Sequence, residues 1–183
     1  MKVIFLDVDG VLNCAYSQSR APHGCIGVDD DKVKVLRKII DATDAKIVLV
    51  STWKQSWSKN KECQDDDANY LDRKLAEEGL QILDKTTDQV IDRGAGIRRW
   101  LDKYGENVDS WIVLDDDIFP DYVELDIIPH HVKTNFGGGG LMEKHVPKCV
   151  DLLVGHETKK QKQEVTWRGV FYENGGEASG NCL

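Results

Sequence analysis

No apolar run in this chain approaches the roughly 20 residues that span a bilayer. The first residues form a short apolar segment followed at once by acids, which is not the pattern of a secretory leader. Positive charge is also in short supply. Lys and Arg number 24 against 32 Asp and Glu, for a formal net charge of −8. A general binder of nucleic acid or of membrane surfaces needs a positive footprint, so neither class is expected, although a local basic patch is compatible with the total. Cys-x-x-Cys pairs are missing as well. Cys14, Cys25, Cys63, Cys149 and Cys182 are odd in number and widely spaced. That excludes an evident disulfide framework or zinc site and suits reduced thiols in the cytoplasm. No internal repeat breaks the chain into modules.

What is present suits one domain with a buried core: 183 residues, 40% hydrophobic and 31% charged. Short apolar runs at Lys2 to Leu6, Lys46 to Val50 and Trp111 to Leu114 read as strands buried on both faces. Extended pieces are also expected at Leu80 to Leu83 and His130 to Thr134, and in the tail at Val165 to Tyr172. Between them, Val33, Leu36, Ile39 and Ile40 recur at helical spacing behind a cap at Asp29 or Asp30. Further helices are expected over Trp53 to Lys61, around Leu71 and Leu75 up to Gly79, and from Arg93 to near Gly105. A last one runs from Leu141 to Val154, with Pro147 kinking it or marking its start. Asn13 to Gly27 reads as a loop or small insertion, and Gly137 to Gly140 as a flexible turn. The core is expected over about 1–154, with a frayed end after it. Alternating strands and helices predict an α/β fold with a mostly parallel, Rossmann-like sheet and helices on both faces. In such folds ligands bind beyond the C-terminal ends of the strands.

Three of those strand ends carry chemistry. The first runs into Asp7-Val8-Asp9-Gly10-Val11, the second into Ser51-Thr52, and the third into Asp115-Asp116-Asp117. Three adjacent acids repel one another, and a metal ion is the simplest compensation. A carboxylate attacking a phosphate also meets repulsion of about 1 kcal/mol per charge pair at about 4 Å in water. A hard cation such as Mg²⁺, which prefers carboxylate oxygens and water, relieves both. Asp7 then fits a nucleophile that forms an aspartyl-phosphate. Asp9 fits the acid that protonates the leaving oxygen and afterwards activates water, with its main-chain carbonyl free to face the metal. Ser51 is placed to donate to a phosphoryl oxygen. Arg93, at a helix start, can neutralise charge in the transition state, a role also open to Arg98 or Lys85.

These residues together resemble the haloacid dehalogenase (HAD) superfamily of phosphohydrolases. Asp7 to Leu12 is similar to its first motif, Ser51 to its second, and Asp115-Asp116 to its fourth. The third motif is usually a lysine at a helix start, and Arg93 stands in its place. The resemblance implies Asp7 as nucleophile, Asp9 as acid/base, and Mg²⁺ held by Asp7, the Asp9 carbonyl and Asp115 or Asp116. Leu49 to Trp53, the Arg93-Gly94 helix start and the region His131 to Leu153 are similar to a smaller HAD group associated with Swiss-army-knife RNA-repair-like proteins. With at most a small cap, the expected substrate is a phosphorylated small molecule, a nucleotide or a nucleic-acid end.

Other readings stay open beside this one. Trp53 and Trp57, four apart, can stack a base or simply fill the core. His130 and His131 are adjacent in a strand and so point to opposite faces, one to the core and one to solvent, which argues against a metal-ligand pair. A catalytically silent phosphate- or metal-binding module is one rival, and a phosphotransferase using the same aspartyl-phosphate is another. A receiver-type phosphoacceptor domain fits Asp7-x-Asp9 poorly. Neither oligomeric state nor the physiological substrate is written in the residues.

Overall fold

The computed structural model describes residues 1–87 and 92–155. The expected tail strand at Val165 to Tyr172 lies outside them. Five strands form one parallel sheet: β1 (Lys2–Leu6), β2 (Lys46–Leu49), β3 (Ile82–Lys85), β4 (Ser110–Asp115) and β5 (His131–Lys133). Their order across the sheet is β3-β2-β1-β4-β5. The helices between them are α1 (Asp30–Thr43), α2 (Asp66–Ala76), α3 (Arg93–Tyr104) and the single turn α4 (Asp121–Glu124), followed by helical residues 146–155 (α5).

β1 is central, and its side chains alternate between two cores. Ile4 and Leu6 join Val33, Leu36 and Ile39 of α1, Leu71 and Leu75 of α2, and Leu153 of α5. Val3 and Phe5 join Ile97 and Trp100 of α3 with Tyr122 and Ile127 on the opposite face. Both faces are covered, which is why the strand reads as an unbroken apolar run rather than an alternating one. Burying a side chain such as Phe5 or Leu6 contributes about 1.5–3 kcal/mol, so this strand is a firm mount for whatever follows it.

Two expected elements differ. The segment Trp53 to Lys61 is not a helix but two 3₁₀ turns, Thr52–Gln55 and Lys61–Cys63. The Lys85 ammonium donates to the carbonyls of Lys54 (2.7 Å) and Trp57, so those carbonyls serve a lysine instead of a helical ladder. The third extended piece starts at Ile82 rather than Leu80, after Gly79 turns the chain at φ +70°. Pro147 falls in the first turn of α5, behind a 3₁₀ turn at Glu143–His145. Its missing N–H costs nothing there. No helix among the described residues is long and apolar enough to cross a membrane.

Candidate active site

Beyond β1 the chain stays tied to the sheet for one more residue: the Asp7 amide donates to the Leu114 carbonyl at 2.9 Å. It then turns, with the Leu12 amide reaching the Val8 carbonyl at 2.8 Å. Gly10 makes the turn at φ +77°, in the left-handed region that favours glycine. A Cβ at Gly10 would lie 2.2 Å from Cγ of Asp116, so the absent side chain is also what lets the first and fourth motifs approach. From the end of β5, one strand beyond β4, Thr134 Oγ1 donates to the Gly10 carbonyl at 2.7 Å.

The floor of the site is a cluster of charges. Asp7, Asp115 and Asp116 each bring a carboxylate oxygen within 4.8 Å of the others. Arg93, the first residue of α3, places Nη1 3.0 Å from Asp7 Oδ1 and 2.5 Å from Asp115 Oδ2. The guanidinium lies over the ring of Phe119, 4.3 Å from its centroid. Tyr122 donates to Asp115 Oδ2 at 3.2 Å, and the amide of Asp117 donates to Oδ1 at 3.0 Å. Burial pushes the Asp7 carboxyl up to about 7; Arg93 pulls it back, and the Asp115 charge pushes it up again. Asp116 is also raised, by burial first and then by Asp115. Arg93 is held well above its usual range because Asp7 and Asp115 outweigh the burial that opposes its charge.

The rim is built differently. Asp9 is exposed, and its carboxylate is bound by two neutral donors: Asn13 Nδ2 at 2.8 Å to Oδ1, and Trp53 Nε1 at 3.0 Å to Oδ2. Asn13 is fully buried, and its Oδ1 accepts from the Gly10 amide at 3.0 Å. Ser51, at the end of β2, lies near enough to Asp7 to favour its charged form. Its buried Oγ nevertheless makes no hydrogen bond of acceptable geometry, and Nε of Arg93 is likewise buried without a partner.

The other candidates are used elsewhere. Arg98 spends its guanidinium on the carbonyls of Leu125 and Asp126, and Lys85 on Lys54 and Trp57. Arg93 is the cation that reaches the cluster. Trp57 is in the core, with Nε1 on Asp72 at 3.0 Å, whereas Trp53 stands at the site. His131 is buried and bonds the Asp115 carbonyl at 3.0 Å; His130 stacks on Trp111. Neither joins the acidic cluster.

The donor set suits a hard divalent cation. Three carboxylates meet one guanidinium, which leaves negative charge over, and all the candidate ligand atoms are oxygens. Two contributors, Asn13 and Tyr122, went unnoticed in sequence and carry no motif signal; Trp53 was weighed there as a base-stacking or core residue, not as a partner of Asp9, 44 residues away. Asp121 had a signal, an acid shortly after Asp115 to Asp117. Its Oδ2 accepts from the Ala95 amide at 2.9 Å, capping α3 behind Arg93.

Comparison with known families adds one finding. The profile of the HAD domain in Swiss Army Knife RNA repair proteins matches residues 3–146, from the start of β1 through both acidic motifs to the start of α5. Searches of the curated proteins and of the solved structures gave no match. The parallel sheet, the acids beyond its central strands and the matched span agree. The chain belongs to the HAD superfamily, as a HAD domain of the kind found in Swiss Army Knife RNA repair proteins.

Proposed function

We propose that this HAD domain is a Mg²⁺-dependent phosphomonoester hydrolase that works through a phosphorylated Asp7. The observation that carries the proposal is the floor of the site. A buried carboxylate pair shares one guanidinium beside two buried donors, Ser51 Oγ and Arg93 Nε, that have nothing to bond. Leaving such a donor unmet costs about 1–3 kcal/mol, and phosphoryl oxygens are acceptors of the right kind.

Asp7, held through Oδ1 by Arg93, attacks phosphorus as the bond to the ester oxygen breaks. Asp9 gives its proton to that departing oxygen, then takes one from the water that opens the aspartyl-phosphate. Arg93 and Ser51 steady the equatorial oxygens. Asp7, the main-chain carbonyl of Asp9, and Asp115 or Asp116 would hold Mg²⁺, which supplies charge neutralisation between carboxylates and phosphate. The exposed rim and the small elements between β2 and β3 suit a bulky substrate, and the family points to a nucleotide or nucleic-acid end. A cytoplasmic setting accords with free thiols at Cys14, Cys25, Cys63 and Cys149.

The test is hydrolysis of p-nitrophenyl phosphate with Mg²⁺, extended to nucleotides, sugar phosphates, phosphopeptides and 5′- or 3′-phosphorylated oligonucleotides. Activity is expected to vanish with EDTA and to fall at least about 10³-fold in Asp7→Asn, as loss of a nucleophile does. Full activity in Asp7→Asn removes the nucleophile from Asp7. No turnover of any ester by the intact protein returns the domain to a silent binding module, and transfer to an added alcohol in place of water makes it a phosphotransferase.

A further inference from the structure

We infer that Trp53 is the positioning residue of the general acid: its indole Nε1–H, with Asn13, aims the Asp9 carboxyl at the departing ester oxygen. The inference rests on the phosphatase reading above and adds to it a residue outside the four motifs. Asp9 stands in solvent, where a carboxylate samples several rotamers and only some face the substrate. Here both of its oxygens are held, by Asn13 Nδ2 at 2.8 Å and Trp53 Nε1 at 3.0 Å.

Both holders are themselves fixed. Asn13 Oδ1 takes the Gly10 amide at 3.0 Å, and its Nδ2 also reaches the Ile26 carbonyl at 3.2 Å. Trp53 sits in the 3₁₀ turn that follows β2, closed by the Lys54 amide on the Ser51 carbonyl at 3.0 Å. Its ring packs on the core and against Tyr70 of α2, centroid to centroid 6.5 Å, and the Tyr70 hydroxyl is anchored by the Val28 amide at 3.0 Å. The indole is half-buried, so water was available to its N–H. Burial did not force the bond to Asp9.

The choice of donor matters. An indole N–H is neutral and donates only. A lysine in its place would hold Asp9 from the end of a flexible four-carbon stem, whereas the indole N–H comes from a ring already fixed by packing. A donor on a fixed ring sets the direction of the carboxyl. When the P–O bond breaks, the Asp9 proton goes to the leaving oxygen while the Asp7 oxygen takes the phosphoryl group.

Leaving groups of different basicity separate this role from simple packing. Trp53→Phe keeps the ring and removes the N–H. With propyl phosphate, whose alkoxide needs the proton, kcat is expected to fall about tenfold, a part of the 10²–10⁴ that general acid catalysis contributes, with KM within about twofold. With 2,4-dinitrophenyl phosphate, whose phenolate leaves unaided, the pre-steady-state burst of dinitrophenolate is expected to match the wild type, since only the later attack of water still needs Asp9. In an Asp9→Ala background, Trp53→Phe is expected to have no further effect, because the indole acts through Asp9. The Trp53 indole proton, assigned with Trp53→Phe, is expected to move upfield in Asp9→Ala. Equal losses on both esters in the phosphoryl-transfer step, a change confined to KM, or a loss that persists without Asp9 would each overturn the role of Trp53 and leave the phosphatase standing. Wild-type protein inert toward both esters would overturn the phosphatase itself.

Discussion

Asp7 and Asp115 lie at the floor of the site, 4% and 0% exposed, and share the guanidinium of Arg93. Asp9, two residues from Asp7, stands in solvent between an indole and an amide. Floor and rim hold the same functional group by different means because their surroundings differ. In the floor, desolvation penalises each carboxylate, and only an opposite charge offsets that penalty. At the rim water already solvates the carboxylate, so neutral donors need supply only direction. On the proposed mechanism, reactivity is set below and aim is set above.

Charge removal in the floor should give the largest effect. Arg93→Met leaves Asp7 and Asp115 buried without their cation, and breaking a buried pair costs about 3–5 kcal/mol. Urea denaturation in EDTA should show that loss, with phosphatase activity down at least about 10²-fold, while Arg93→Lys should recover part of both. A stable Arg93→Met protein would mean that the cluster does not need its cation.

Next comes the dependence of stability on pH without metal. The Asp7 carboxyl sits at about 7 in the folded protein, against about 3.9 in an unfolded chain. Below about pH 4 both states hold the proton and its contribution to stability is fully present. Between about pH 4 and 7 the unfolded state alone has released it, so rising pH favours unfolding, and the effect levels off above about 7. In EDTA, the wild type minus Asp7→Asn stability difference should fall across that window by on the order of 4 kcal/mol. A difference curve flat with pH would place Asp7 in water rather than in the floor.

The smallest effect probes the join between floor and rim. Gly10→Ala puts a Cβ into Asp116 and a left-handed strain of about 1–2 kcal/mol into the turn. The expected result is a several-fold higher Mg²⁺ concentration for half-maximal activity, with the protein still folded by circular dichroism. An unchanged Mg²⁺ requirement would separate Asp116 from the metal.

The sheet was legible because β1, β2 and β4 are buried on both faces, which leaves unbroken apolar runs that few other arrangements produce. Asp7, Ser51, Arg93, Asp115 and Asp116 were legible because strand ends and a helix start carry them to one place. The segment after β2 was misread as a helix. Its carbonyls at Lys54 and Trp57 are taken by Lys85, a contact that no periodicity encodes. The two tryptophans there looked alike in sequence, yet Trp57 faces Asp72 in the core and Trp53 faces Asp9. Residues that act through tertiary hydrogen bonds leave no local pattern, as with Asn13 and Tyr122, and the bond from Trp53 to Asp9 is equally absent from the segment that carries it.

Thr134 closes the Gly10 turn from 124 residues away. The glycines after it do the same from behind: the Leu141 amide bonds the Val11 carbonyl at 2.9 Å, and Gly140 packs so tightly that a Cβ there would come within 2.7 Å of the Asn13 carbonyl oxygen. During synthesis Asp7 leaves the ribosome well before the segment near residue 140 that backs its loop. A nascent chain can pair β1 with β2 early and still carry an unbacked Asp7–Leu12 turn until residues near 140 have emerged. Loop closure over so many residues is slow, so the later-made segment governs when the Asp7 turn is complete.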